Sequence, residues 1–539
     1  LSQIQTYGTL WCNKVIFNTF VTCLISFLQS KEMSKNTQMI VGGLGRPFTL
    51  GMLYNAPKDE LIPGLSVLDS QTLQSLTVKK PQRSSYFDVS ASDSTKDSSF
   101  NLNVEASLKL SFMSGLIEVG GSANYLNNKK ESKNQCRVTL QYQATTHFEQ
   151  LSLTAEVCEK IKSSEVIEKG LATHVVTGIE YGANAFFVFD SQKVESSDLQ
   201  TVKGQMEVTI KKIPTVEISG EAKVELTEEE KKLVKTFSVK FYGDFLLEKN
   251  PATFEAAVQT YVDLPKLLMG ADGKEAVKTV PLKVWLLPLE VFTLKPAPVT
   301  KGISVGLVLE AEDTLEELDS ITMRCNDCLS VSAVGKFPQL QQPLHKFYKL
   351  CNYYSVELQR QMAETCPAIR EGTVSESVLR ALFEERHTSP FSQDKLTQWL
   401  QDKEREVNVV QVCLDLMEGL PVMSTQADID KFVLAPGGEA RWGFTFTSLE
   451  TTDSQLEEMV QYLKALKTGK SYEPLELQSA ADPWFYNDEV VKLMRDKAHW
   501  YKGYSDANVV FITAINDTQF TGFAIYLYEN GVLINKCEI

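Results

Sequence analysis

The sequence predicts a multidomain α+β chain: an antiparallel sheet with flanking helices, then a four-helix bundle, then a small α/β domain. Three observations carry this reading. Apolar and polar residues alternate strictly over Phe100 to Phe112, and the pattern recurs over residues 215–226. From Thr314 to about Gly419 the apolar period becomes helical. From Asp428 onward strand and helix patterns alternate, ending in a hairpin signal at Asn530-Gly531.

In the first run, FNLNVEASLKLSF, the apolar set is Phe100, Leu102, Val104, Ala106, Leu108, Leu110 and Phe112. An extended strand puts all seven on one face, whereas a helix scatters them around its circumference. In the second run Val216, Ile218, Ala222, Val224 and Leu226 alternate with Glu217, Ser219, Glu221, Lys223 and Glu225. A membrane-spanning β-strand needs about 9–11 residues with one apolar face. Both runs reach that length, but any antiparallel strand with one face on a core and one in water alternates in the same way. Replacing Val104 or Leu108 by Asp is expected to abolish insertion and leave folding largely intact.

The 539 residues predict about two to four domains. With 43% hydrophobic and 23% charged residues, the chain can bury large cores. A net charge of −15 argues against a nucleic-acid partner, which requires basic patches. Ten cysteines, at 12, 23, 136, 158, 325, 328, 351, 366, 413 and 537, are too sparse for a disulfide scaffold.

Residues 1–38 read as a non-core extension. Leu10 to Leu28 is apolar but interrupted by Asn13, Lys14 and Asn18, leaving a signal, an amphipathic anchor and a gene-model artefact open. A short strand is expected over Phe48 to Tyr54. After Phe112, Gly115, Gly120 and Gly121 suit a bend or hinge. Arg137 to Thr146 reads as a strand, Val157 to Ile167 as a helix, and Ala185 to Phe189 as a strand buried on both faces. Lys283 to Leu294 is a closing strand broken at Pro288, and residues 296–300 form a linker.

Four apolar helical faces follow. Leu315, Leu318, Ile321 and Met323 open the first; Phe347, Leu350, Tyr354, Leu358 and Met362 space the second like a heptad. Val378, Leu379, Leu382 and Phe383 form the third, and Trp399, Leu400, Val407, Val410, Leu414 and Met417 the fourth. Cys325-Asn-Asp-Cys328 has no second ligand pair at zinc spacing and no preceding strand, so it reads as two thiols one helical turn apart. In the last part, strands over Trp442 to Phe446 and Val509 to Ile515 accompany helices over Gln455 to Leu466 and Asp488 to Lys502. No nucleotide loop, HExxH or GxSxG is present, and the five histidines (147, 174, 345, 387 and 499) are dispersed. The expectation is a non-enzyme without cofactor or metal.

The segment GLATHVVTGIEYGANAFFVF (Gly170 to Phe189) resembles the signature of the perforin-like membrane-attack family. Thr173 and His174 match its Thr-His pair, and Gly182 stands where the first of two glycines belongs. Leu171, Ala172, Val175 and Ala183 depart from it, and by residue chemistry alone His174 is a hydrogen-bonded histidine between strands. More specifically, GRPFTLGMLY, KGLATHVVT, GANAFFVFDS, IKKIPT and KVWLLPLEVF resemble, in order, the stonustoxin and verrucotoxin family of fish venom lysins. The resemblance runs from about Gly42 to the C-terminus.

That resemblance implies a perforin/cholesterol-dependent-cytolysin-like twisted antiparallel sheet over 39–299. A bundle of the focal-adhesion-targeting type would occupy 300–422, and a thioredoxin-like domain without its CxxC 423–539. It implies secretion, although no clear signal peptide is present and a cytoplasmic location stays open. It also implies subunits that oligomerise, with themselves or a homologous chain, and lytic contact with membrane lipid. Two regions of each subunit are packed away and refold as amphipathic hairpins, so the alternating runs are expected to be partly helical before insertion. The family continues into a PRY/SPRY-type β-sandwich, which this sequence does not include; the alternative is a non-lytic scaffold or partner subunit that has lost target binding.

Overall fold

Seventeen residues, His174–Asp190 (β6), form the axis of the first sheet. The computed structural model describes residues 38–91, 102, 104–153, 171–215, 224–269, 279–292, 301–436, 440–449, 453–470, 472, 483–504 and 509–537. The other strands of this sheet are β1 (Met39–Gly42), β2 (Met52–Asn55), β3 (Glu60–Ser66), β4 (Thr77–Ser90), β5 (Arg137–Leu151), β7 (Ser238–Gly243) and β8 (Val280–Pro288). All their pairings are antiparallel. β2 and β5 share one edge of β6, with β3 and β4 outside them; β8 and β7 share the other, with β1 outside β8.

The AFFVF run of β6 is buried on both faces because helices cover both. Period-two alternation sends Phe187 and Phe189 to a core with Met206, Ile210, Phe254 and Val258. Phe186 and Val188 face the other way, where the Tyr125 ring stacks on Phe186 at 4.4 Å. The flanking helices are α1 (Ser70–Leu76), α2 (Ala106–Met113), α3 (Leu199–Ile210), α4 (Glu228–Val234) and α5 (Phe254–Met269). A capping box between Thr227 and Glu230 opens α4. β4, unmarked by any alternation, is an exposed outer strand; Pro81 lies at its register irregularity, where a missing N–H is tolerated.

Several expectations shift. The strand expected over Phe48 to Tyr54 contracts to β2, because Gly51 adopts φ +78° and turns the chain immediately before it. The closing strand ends at Pro288 as expected and continues as a 3₁₀ turn, Leu289–Phe292. The strand pattern of 100–112 meets a helix over Ala106–Met113. Phe100, Val216, Ile218 and Ala222, the helix expected over Val157 to Ile167, the 296–300 linker and residues 1–37 lie outside the described residues.

The bundle comprises α6 (Val305–Leu329), the short α7 (Ser332–Lys336), α8 (Pro338–Arg370), α9 (Ser377–Thr388) and α10 (Gln393–Leu416). Its first helix begins before Thr314 because Leu307, Val308 and Ala311 extend the same buried stripe. Phe347, Leu350, Tyr354, Leu358 and Met362 are all buried, and Phe347 stacks on Trp399 at 4.1 Å.

The last sheet runs β13 (Val532–Cys537), β12 (Phe523–Glu529), β10 (Arg441–Phe446), β11 (Val509–Ala514), β9 (Val422–Met423). β10, β11 and β9 pair in parallel; the other pairings are antiparallel. Helices α11 (Gln426–Val433), α12 (Ser454–Thr468) and α13 (Asp488–Tyr504) accompany it. Asn530 and Gly531 turn the final hairpin at φ +50° and +78°, the pair of left-handed residues a type I′ turn demands. One continuous apolar core joins this sheet to the bundle, with Phe337 set edge-on to Phe446 at 5.4 Å.

Candidate functional site

The alternating segment lies where the first sheet meets the bundle. As a helix, α2 has no single apolar face, so its side chains divide between two cores. Leu108, with Val104 and Ile117, packs on Val176, Ile179, Val284 and Leu286 of the sheet. Leu110 and Met113 enter the bundle core beside Leu307, Val308 and Ala311, and half-buried Phe112 touches both.

Its C-terminus is closed by a Schellman motif. Gly115 sits at φ +76°, its N–H donates to Phe112 O at 3.0 Å, and Leu116 N–H donates to Ser111 O at 2.9 Å. Gly120 and Gly121 serve a different need. A Cβ on Gly45 would lie 2.3 Å from Gly120 O, so two backbones meet there; Gly121, at φ +54°, faces the Asp244 carboxylate. Asp244 accepts from Ser122 N and Asn184 N at 2.8 and 2.9 Å, tying the following 3₁₀ turn to β6. Burial pushes its carboxyl pKa up, partly offset by those hydrogen bonds.

Lys109 and Ser111 of α2 are each bonded to a charged partner. Ser111 Oγ donates to Asp59 Oδ2, which also takes the Arg370 Nη1 proton at 2.9 Å; Tyr54 OH donates to Asp59 Oδ1 at 2.6 Å. Asp59 is buried and holds φ +52°, and Arg370, the last residue of α8, is equally buried. Lys109 Nζ pairs with buried Glu312 Oε1 of α6 at 3.3 Å, and Gln359 Nε2 of α8 donates to Met113 O at 2.9 Å. Sequence reasoning missed Asp59, Glu312 and Arg370. Only the acidic turn residue in NAPKDE hinted at the first; the others are single charges on amphipathic helices.

In the second run, Val224 and Leu226 are half-buried in extended chain leading to α4, against the core formed by α3 and α5. Val224 and Leu226 therefore pack on a different core from α2.

The signature residues lie in hydrogen-bonded, closely packed sheet surroundings. Thr173 Oγ1 accepts from Ala56 N at 2.9 Å and lies 2.8 Å from His174 Nδ1. Burial holds the His174 pKa down at about 4, so the ring is neutral at pH 7. A Cβ on Gly182 would stand 2.0 Å from Ala144 O, which explains the glycine by the approach of β5 to β6. The CxxC thiols are buried one turn apart. Burial raises both pKa values, that of Cys328 to about 12, and Cys325 Sγ donates to Leu344 O at 3.4 Å. Neither is a thiolate at neutral pH. Among the described residues no cluster of three or more His, Cys, Asp or Glu could hold a metal, and no helix is long and apolar enough to cross a membrane.

Comparison with known proteins agrees with this architecture. Residues 313–408 match the stonustoxin helical domain, and residues 419–537 the thioredoxin-like SNTX domain. Neoverrucotoxin subunit alpha of Synanceia verrucosa is 43% identical over 511 residues, 93% of this chain and 71% of that protein. Cytolytic toxin-alpha of Scorpaena plumieri is 42% identical over 506 residues, with the same coverage. The matched relatives include chains named as alpha and as beta subunits. The solved stonustoxin structure superposes with a TM-score of 0.73 at 36% identity, covering 92% of this chain and 69% of that one. The class this defines is the cytolytic toxin subunit. Within that class, the chain belongs to the stonustoxin/verrucotoxin family.

Proposed function

We propose that this chain is a secreted subunit that assembles with a homologous subunit and inserts two regions, around 100–112 and 216–226, into a lipid bilayer as β-hairpins. The observation that carries the reading is a mismatch. A segment with strand alternation is stored as a helix, its apolar residues divided between two cores, so its sequence suits a second conformation better than the one it occupies. Unpaired backbone in hydrocarbon costs several kcal/mol per group, so inserted strands must pair with those of neighbouring subunits. No catalytic step or cofactor enters this reading. Thr173, His174 and Gly182 would keep β6 in register with its neighbours, and Gly115, Gly120 and Gly121 would be the points about which the first region unfolds. The sheet part (39–299) would carry insertion, and the parts at 300–422 and 423–539 would hold and present it.

The test is dye release from liposomes and red-cell lysis, by the chain alone and mixed with a full-length homologous subunit. Leu102→Asp and Leu226→Asp are informative because both side chains are only half-buried in this state. Cooperative leakage that both substitutions abolish is the expected result. Leakage unchanged by either defeats the insertion assignment. No leakage from well-folded protein in either setting would favour a non-lytic partner subunit.

A further inference from the structure

We propose that the helical bundle is the restraint on the first insertion segment, and that it holds the segment through charge pairs that must part before α2 can unfold. This rests on the insertion reading given above and adds to it the contact that regulates release.

Glu312, Asp319 and Asp327 lie about two turns apart on α6, forming one acidic stripe along the helix. Each faces a lysine of the sheet part: Lys109 at 3.3 Å, Lys129 at 2.6 Å and Lys193 at 3.0 Å. Asp327 also accepts from Lys133 N at 2.9 Å, and Asn326 Nδ2 donates to Glu131 O at 3.0 Å. The stripe thus grips α2, the chain after its 3₁₀ turn, and the chain after β6. Beside the same helix α2 the polarity reverses: Arg370 supplies the cation and Asp59, of the β2–β3 turn, the anion that also accepts from Ser111 Oγ.

These contacts select the polar members of the alternation. Lys109 and Ser111 would line the wet face of an inserted strand; in the stored helix Lys109 pairs directly with α6, and Ser111 is linked to α8 through Asp59, which binds both Ser111 and Arg370. Leu110 and Met113 fill the bundle core, so α2 cannot extend while the bundle stays seated. Lifting the bundle breaks the pairs and exposes those two side chains together. The two kinds of pair differ in cost. Lys129 and Lys193 are half-exposed and screened by salt, whereas Asp59–Arg370 is desolvated on both sides and leaves an uncompensated buried charge when one partner is removed. The exposed pairs therefore set how release responds to ionic strength, and the buried pair sets the barrier.

The experiment joins two readouts on the full chain. Hydrogen exchange over 106–113 needs no membrane; Arg370→Gln is expected to raise it at least tenfold relative to α8, and Glu312→Gln severalfold. Glu312→Gln removes only one charge and guards against simple misfolding of the Arg370 variant. In the second readout, Lys109→Cys and Glu312→Cys are joined by a reducible thiol cross-linker, with the unsubstituted protein treated identically. Liposome leakage is expected to fall at least tenfold and to return on reduction. Exchange unchanged in both charge variants overturns the restraint, as does cross-linked protein that leaks like the reduced form. If unsubstituted protein never leaks, the insertion reading fails by itself, and the exchange result still decides whether the charge pairs hold α2.

Discussion

Helices α2 and α8 bury leucines equally well, yet their sequences stand in opposite relation to their structures. In α8, Phe347, Leu350, Tyr354, Leu358 and Met362 recur at three- and four-residue spacing and enter one core. Local pattern and tertiary burial agree there, as in most stable helices. In α2 the spacing is two, so Leu108 and Leu110 point to different cores and Lys109 and Ser111 need charged partners from other parts of the chain. By apolar pattern alone, α8 reads as a helix and α2 as a strand. The difference separates an element held by its own sequence from one held by its neighbours.

The largest test of that contrast is Leu108→Asp. Leu108 is fully buried, so an unpaired carboxylate there is expected to cost about 3–5 kcal/mol of stability, seen as a lower urea midpoint. The sequence alone had suggested this position as a clean probe that would spare folding; burial against the sheet makes it a folding mutation, and Val104, also buried, shares the fault. Leu358→Ala in α8 serves as the paired control, lowering stability by about 2–5 kcal/mol without selectively exposing 106–113.

Next comes pH. The folded pKa of His174 is about 4, below the ordinary 6.5. The unfolded chain therefore takes up this proton first, and the stability tied to the neutral ring is present above pH 6.5 and lost as pH falls towards 4. The loss is on the order of 3 kcal/mol. His174→Gln should flatten the stability profile across that window, with α2 and α8 equally affected because the group belongs to β6. A smaller effect is expected for Gly115→Ala. No atom lies within 4 Å of the added Cβ, so only the left-handed backbone resists, at about 1–2 kcal/mol, and hydrogen exchange should localise the change to the end of α2. Smallest is Lys129→Ala, where a half-exposed pair with Asp319 is worth less than about 1 kcal/mol; thermal melting should barely shift.

Much of the fold was legible. The bundle faces, apart from Val378, which α9 leaves exposed while Leu379 and Phe383 are buried, the buried AFFVF strand and the Asn530-Gly531 turn each rest on contacts within a few residues or on a period that suits one structure. β4 was not, because an outer strand with Pro81 and exposed charges carries no apolar alternation. The Asp59–Ser111–Arg370 junction was beyond reach for another reason. Its members lie 52 and 311 positions from Asp59, and nothing in the local sequence distinguishes Asp59 from an ordinary turn residue.

The sequence by itself determined the periods: two over 100–112, and three-to-four through the bundle. Those periods state which face of each element is apolar in the conformation that suits it. Which conformation α2 takes was decided only by the tertiary structure. An eight-residue helix with apolar residues on opposite sides is marginal alone, and here a sheet on one side, a bundle on the other and charged partners for Lys109 and Ser111 hold it in that form.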